Sequence, residues 1–271
     1  MTADKPAPSR PSRRIEKQIE VAASVEAVWK ALTNPQELIR WFPLEAEVVP
    51  GEGGSISLAW GPDCAGKAPI TVWEPNRRLQ WRESAPGGAP GPVLVEWVLE
   101  ARGGKTLVRL INSGFSAGGA DWENEWFDST NYGWGFMLTN LRNYLESHPR
   151  MPRLVAWSRH KVSQPRSQIY ERLAGAGGLF AEGVEKLAVG GRYSLRAATG
   201  DSFTGRVEFI VPPRGFCLTV DALNGALYWL TIEGAGPDHE TQVWLSAYGV
   251  PQTKVDAFQQ QWNGVLANLL Q

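Results

Sequence analysis

NYGWGFMLTNLRNYLE, residues 131–146, sets Trp134, Met137, Leu138, Leu141, Tyr144 and Leu145 at the three- and four-residue spacing of one helical face. Gly133 and Gly135 flank the indole, although glycine costs about 1 kcal/mol against alanine inside a helix. At the far end of the chain, FQQQWNGVLANLLQ (258–271) repeats the arrangement. Val255, Phe258, Trp262, Val265, Leu266 and Leu269 form its stripe, with Gly264 beside the indole. Two helices of one design predict two copies of one domain. Their glycines predict either a close approach to a neighbouring surface or room left beside the ring.

Collinear matches extend the repeat backwards. Val25–Trp29 matches Arg166–Tyr170, and GGSISL (53–58) matches GGRYSL (190–195). Pro75 and Arg77 fall on Pro212 and Arg214, and Trp97 falls on Trp229. Thr106, Val108, Leu110 and Gly114 fall on Thr241, Val243, Leu245 and Gly249. The expected organisation is a tail over 1–13, a first domain over 14–147, a linker over 148–154 and a second, diverged domain over 155–271. Pro149 and Pro152 suit the linker.

Within the first copy, Ile15, Ile19 and Val21 alternate as in a strand. Ser24 is a good N-cap for a short helix carrying Ala27, Val28, Ala31 and Leu32. Pro35 opens a second short helix ending near Trp41 and Phe42. Strands follow at 44–49, 55–60, 68–74, 78–82, 93–101 and 105–112, divided by turns at Gly51–Gly54, Pro75-Asn76, Pro86–Pro92 and Gly103-Gly104. Adjacent strands on short turns imply an antiparallel sheet, and the long helix is the available cover for its apolar face, giving an α+β class.

The 271 residues are 43% hydrophobic with a formal charge of −1. That balance excludes a general polyanion binder, so no nucleic-acid partner is expected. Residues 1–13 hold Lys5, Arg10, Arg13 and three prolines and almost nothing apolar, which predicts a disordered leader rather than a signal peptide. No run has the length of a membrane span. Two cysteines, Cys64 and Cys217, make no disulfide framework and point to a reducing, cytoplasmic setting.

VEAVWKALTNPQELIRWF (25–42), the glycine pair 53–54, VWEPNRRLQW (72–81), KTLVRLINSGF (105–115) and GWGFMLTNLRNYLE (133–146) together resemble the SRPBCC, or START-like, superfamily. More narrowly, they resemble the branch named after the activator of the heat-shock ATPase. The resemblance covers nearly all of 14–147 and, more loosely, 155–271, where LAGAGGLF (173–180) replaces the LTNPQELIRWF pattern. It implies two helix-grip domains, each a curved antiparallel sheet wrapped around a long C-terminal helix, with two short helices after the first strand. It also implies an apolar cavity between sheet and helix, in a superfamily whose members bind hydrophobic molecules and include some cyclases and hydrolases.

Catalytic signals are sparse. GPDCAGKA (61–68) fills most of a phosphate-loop pattern, but Ala68 stands where Ser or Thr would hold magnesium, and a strand follows in place of a helix, so no ATPase activity is expected. No histidine lies near a second, and there is neither CxxC nor HExxH, so no metal or cofactor is expected. Asp121, Glu123, Glu125 and Asp128 are accounted for by the N-terminus of the long helix. His160 aligns with Ile19 on an inner face, where it would act on or hydrogen-bond a ligand; Lys17 shares that parity in the first copy. SGFSAGGADWENEWF (113–127) reads as a loop that would form a lid over a pocket mouth.

The aromatic residues carry the remaining signal. The ligand-lining set is Trp81, Trp97, Val108, Leu110, Trp126, Trp134, Met137 and Leu141 in the first copy and His160, Trp229 and Trp262 in the second. The expected function is binding of a small hydrophobic or aromatic molecule between sheet and C-terminal helix, mainly in the first domain. No catalytic residue is assigned. Two alternatives use the same chain differently: a polyketide-type cyclase or hydrolase acting in the cavity, and a module that engages a chaperone ATPase. The second domain is open to two roles, as a scaffold or as a partner packed against the first.

Overall fold

The computed structural model describes residues 12–61, 64–85, 92–117 and 119–271. Most of the expected leader, Pro62 and Asp63 of the phosphate-loop-like stretch, and residues 86–91 of the expected turn lie outside them. The chain divides into two compact units, Met1–Pro35 with Leu44–Asn131 and Gln36–Pro43 with Tyr132–Gln271.

In the first unit β1 (Ser12–Val21) leads to α1 (Val25–Thr33) and then to β2 (Glu45–Val49), β3 (Ser55–Ala59), β4 (Ala65–Glu74), β5 (Arg78–Ser84), β6 (Pro92–Arg102) and β7 (Lys105–Ser116). The seven strands form one antiparallel sheet in the order β1-β7-β6-β5-β4-β3-β2. The Ser24 hydroxyl accepts from the Ala27 N–H, capping α1 as its position implies. Gly103 and Gly104, at φ 55° and 84°, supply the two positive-φ residues of the tight hairpin between β6 and β7. Gly114, at φ 100°, sits where β7 slips register against β1, and a Cβ there would collide with the Pro92 carbonyl oxygen. That bulge brings Phe115 onto the inner face after Val108, Leu110 and Asn112.

α2 (Pro35–Leu38) is the second short helix, and α3 (Asp121–Ser147) is the long one. The Glu123 carboxylate accepts from the Ala120 N–H at 2.8 Å, so the acidic run does begin the helix. The stretch expected to be a lid is mostly regular, since Ser113–Ser116 belongs to β7 and residues 121–127 to α3. Gly118, within the expected lid, lies outside the described residues.

In the second unit β8 (Arg153–Val162), α4 (Arg166–Ala174), β9 (Arg192–Arg196), β10 (Ser202–Val211), β11 (Gly215–Val220), β12 (Ala226–Glu233), β13 (His239–Tyr248) and α5 (Gln252–Leu269) follow in order. The sheet order, β8-β13-β12-β11-β10-β9, is that of the first sheet without a counterpart of β2. Both faces of this sheet are covered. Tyr228, Leu230 and Ile232 of β12 turn to the core shared with Val255, Phe258 and Trp262 of α5. The alternate residues, Leu227, Trp229 and Thr231, turn the other way and are buried as well. Over that second face lie Tyr132, Phe136, Asn140 and Tyr144, one side of α3. Tyr132 donates to the Leu230 carbonyl at 2.8 Å, and Phe136 stacks on Trp229 at 4.3 Å. A sheet buried on both faces is why LYWLTI is continuously apolar rather than alternating. This packing assigns residues 132–147 to the second unit, whereas spacing in the sequence draws the boundary at the linker.

The same unit holds Gln36–Pro43 through a buried polar network. Asn140, fully buried, donates to the Trp41 carbonyl and to Ser246 Oγ. Tyr144 donates to the Glu37 carboxylate, Tyr248 to the Arg40 carbonyl, and Arg153 to the Phe42 and Pro43 carbonyls. The polar residues of the LTNPQELIRWF and GWGFMLTNLRNYLE patterns therefore act on each other, satisfying backbone groups that burial would otherwise orphan.

Candidate ligand site

The inner face of the first sheet is built from period-two strands. In register across it run Ile70, Trp81, Val95, Asn112 and Ile15, and next to them Leu79, Trp97, Leu110 and Lys17. Trp81, Trp97, Val108 and Leu110 are all buried. Trp73, opposite Leu79, adds another indole, which meets Trp29 of α1 edge-on at 5.2 Å. Trp126, half-buried on the first turns of α3, packs at 4.7 Å against Phe115. Trp81 and Trp97 are buried and Trp73 and Trp126 half-buried; aromatic side chains with few polar groups among them are the composition typical of a small-molecule site.

Polar groups on this face are few. Asn112 is buried and donates to the Leu94 carbonyl at 3.0 Å. Lys17 is half-buried opposite Leu110, and desolvation pushes its ammonium pKa down. Glu83 follows Trp81 by two residues on β5, so both side chains share a face, and the Trp81 indole N–H donates to Glu83 Oε1 at 2.8 Å. Burial pushes this carboxyl up, and the indole bond partly offsets the shift. Sequence spacing ends this strand at Arg82. The strand in fact continues to Ser84, and that difference of two residues is what hid Glu83. Trp73 was hidden by the slipped register between β4 and β5, and Phe115 by the bulge at Gly114.

The other expected lining residues are distributed differently. Trp134 is buried in the second unit and stacks on Phe42 at 5.4 Å; Leu141 is buried and Met137 half-buried there too. Trp262 belongs to the core under α5 and touches Phe180, Phe203, Tyr228 and Phe258. His160 shares the α5 side of β8 with Ala156 and Ser158, opposite Thr241. Trp229 does not join them, because its ring lies on the far side of the sheet against Phe136. The match of Trp97 with Trp229 is off by one: Trp97 stands opposite Leu110, and the residue opposite Leu245 is Tyr228. One residue of slip in a strand moves a side chain to the other face.

The interior of the second domain is occupied. The segment that replaces the LTNPQELIRWF pattern inserts Leu179 and Phe180, both buried. The Phe180 ring lies 5.6–6.3 Å from those of Phe203, Phe216, Tyr228 and Trp262. Phe203, Phe258 and Trp262 also line a shallow pocket of about 340 Å³ at one end of α5.

Gly133 and Gly135 touch nothing: a Cβ on either would find no atom within 4 Å. Close approach of another surface therefore does not explain them. Lys67 of the phosphate-loop-like stretch lies within β4, where such a loop requires a helix. Among the described residues no group of three His, Cys, Asp or Glu side chains stands ready to hold a metal ion, and no helix is long and apolar enough to cross a membrane.

The family model described as activator of Hsp90 ATPase homolog 1-like protein matches residues 22–146. No curated protein matches the chain at a significant level. Among solved structures, CalU16 from Micromonospora echinospora is 27% identical, with 51% of this chain and 77% of that one covered and a TM-score of 0.42. The Aha1 dimer from Colwellia psychrerythraea is 20% identical over 50% of this chain and 98% of that one, with a TM-score of 0.43. DynU16, a protein of the dynemicin biosynthetic locus, is 18% identical over 95% of this chain and 96% of that one, also at 0.43.

Proposed function

Residues 22–146 belong to the family of activator of Hsp90 ATPase homolog 1-like proteins, within the SRPBCC superfamily, and from that premise we propose that the first domain binds a small hydrophobic or aromatic molecule on the indole-rich inner face of its sheet. The contrast between the two inner faces carries this reading. The second is packed with phenyl and phenol rings, Phe180, Phe203, Phe216, Tyr228 and Phe258, around the single indole of Trp262, whereas the first is built on the indoles of Trp73, Trp81, Trp97 and Trp126, with the carboxyl of Glu83 held by one of them; Trp81 and Trp97 are buried. In this reading the second domain is a scaffold descended from the same ancestor, which the shared strand order supports.

The test is uptake of naphthalene by the full chain, followed by equilibrium dialysis and by the thermal midpoint. A ligand that binds only the folded state raises that midpoint. Trp97→Ala is expected to weaken uptake, and Trp262→Ala to leave it unchanged. A chain that takes up no naphthalene, shows no thermal shift and carries no small molecule in native mass spectrometry would end the proposal. A second reading, a cyclase or hydrolase acting at the same place, is favoured by one observation: the Glu83 carboxyl turns to the same face as Trp81 and is held by its indole N–H, and burial pushes the carboxyl pKa up, toward the range of a proton-transferring group.

A further inference from the structure

The charges of β1 divide by face. Arg14, Glu16 and Glu20 turn outward, where Arg14 pairs with Glu16 at 3.0 Å and Lys105 with Glu20 at 2.7 Å. Arg13 and Lys17 alternate with them and share the inward parity of Ile15. Neither has an acidic partner among the described residues. Arg13 stands opposite Phe115, and its Nε donates to the Ser116 carbonyl at 2.7 Å. Its guanidinium carbon lies 4.3 Å from the centre of the Phe127 ring. Phe127 meets Phe115 edge-on at 5.3 Å, and Phe115 packs on Trp126 at 4.7 Å, so the guanidinium is continuous with the aromatic face. Its Nη2 is buried and has no hydrogen-bond partner.

A guanidinium does not relieve burial by losing its proton, and the ring beneath it offsets only part of the cost. With Nε committed to Ser116, the donors left are the two Nη groups, whose parallel N–H bonds match the oxygens of a carboxylate. Glu83, an acid on the same face, does not supply it. It lies on β5, three strands from β1, roughly 14 Å at the usual strand spacing, and it accepts from the Trp81 indole. Lys17, opposite Leu110, adds a second positive charge to this strand, so the face disfavours a cation and favours an anion.

Resting on the ligand-binding reading above, we infer that Arg13 is the polar anchor of the first domain's site, and that it selects aromatic ring systems bearing a carboxylate. The rings lie against Phe115, Trp126 and the indoles beyond them, and the carboxylate takes the two Nη groups end-on. A site built around a partly buried cation discriminates against the analogue without the acid, because the charge and its donors are then left unpaired.

Equilibrium dialysis of the full chain at pH 7.5 against 2-naphthoate and naphthalene tests this. The wild type is expected to prefer 2-naphthoate by about tenfold to a hundredfold, the range for a hydrogen bond to a charged group. Arg13→Leu is expected to bring the two affinities together. Arg13→Gln, which keeps a donor for the Ser116 carbonyl, is expected to reduce the preference severalfold and serves should the leucine variant fail to fold. Arg14→Leu removes the same charge from the outer face and is expected to leave the preference intact. Equal affinity of the wild type for the two probes, a preference that survives substitution of Arg13, or one lost equally on substitution of Arg14, overturns the anchor and leaves the ligand site standing. Binding of neither probe overturns both.

Discussion

Trp97 and Tyr228 hold matching places in their sheets, each opposite a leucine of the last strand and each fully buried, yet one is an indole and the other a phenol amid five aromatic rings. Gly133 and Gly135 belong to the same scale. With no neighbour within 4 Å of a Cβ at either, the helix bears their conformational cost without a packing return from the chain. Gly133→Ala is therefore expected to stabilise the protein by about 1 kcal/mol, read as a higher urea midpoint at unchanged slope. A loss of stability would mean that the glycine is needed for its backbone or for contacts absent from the structure.

Among the elements, α3 and the 175–183 segment do most to distinguish the two domains. One side of α3 mixes polar and aromatic residues, Tyr132, Phe136, Asn140, Asn143 and Tyr144, and of these the apolar stripe read from spacing includes Tyr144 alone. Asn140 is nevertheless fully buried, Tyr144 is hydrogen-bonded to Glu37, and Asn143 donates to the Gly225 carbonyl at 3.3 Å. The 175–183 segment is rich in glycine and reads as a loop, but it delivers Phe180 into the core under α5. Phe180→Ala is expected to cost about 3–5 kcal/mol, as for other buried phenylalanines. If the cavity so created admits naphthalene, the variant would also take up a second equivalent in dialysis. A cost below about 1 kcal/mol would show that this segment does not hold the domain together.

For the whole molecule, buried titratable groups set the pH response. His148 is buried, stacks on Tyr248 at 4.6 Å, and has its pKa lowered by desolvation. The unfolded chain then takes up this proton first, near the ordinary histidine pKa of about 6.5. Stability from this group is complete above that pH and is lost as pH falls toward the lower folded value. Glu83 runs the other way: its raised carboxyl takes up a proton in the folded state before the unfolded chain does, so acidification below the raised value adds stability. Urea midpoints measured from pH 7.5 to 5.5 are expected to fall in the wild type and to fall less in His148→Phe, which keeps the ring stack and removes the titration. Equal slopes for the two proteins would exclude His148 as the source.

Much of this architecture was legible along the chain because it is local. Alternation in IEKQIEV, the Ser24 cap, the glycine turns and the stripe on NYGWGFMLTNLRNYLE are set by backbone geometry within a few residues, and they place the strands and helices of both domains. Trp81, Trp97, Val108 and Leu110 could be assigned to one face on the same grounds. Glu83, Trp73 and Phe115 could not, since each depends on a strand that runs on or slips register through bonds to its neighbour. Nor could Trp229, whose face is fixed by pairing with β11 and β13. Sequence by itself thus determined the elements and their order, through the periods of strand and helix. Tertiary structure alone decided which face each indole occupies, that Phe180 fills the second interior, and that the Glu83 carboxyl turns inward to meet the Trp81 indole, because those depend on long-range register and on the volume left between packed surfaces.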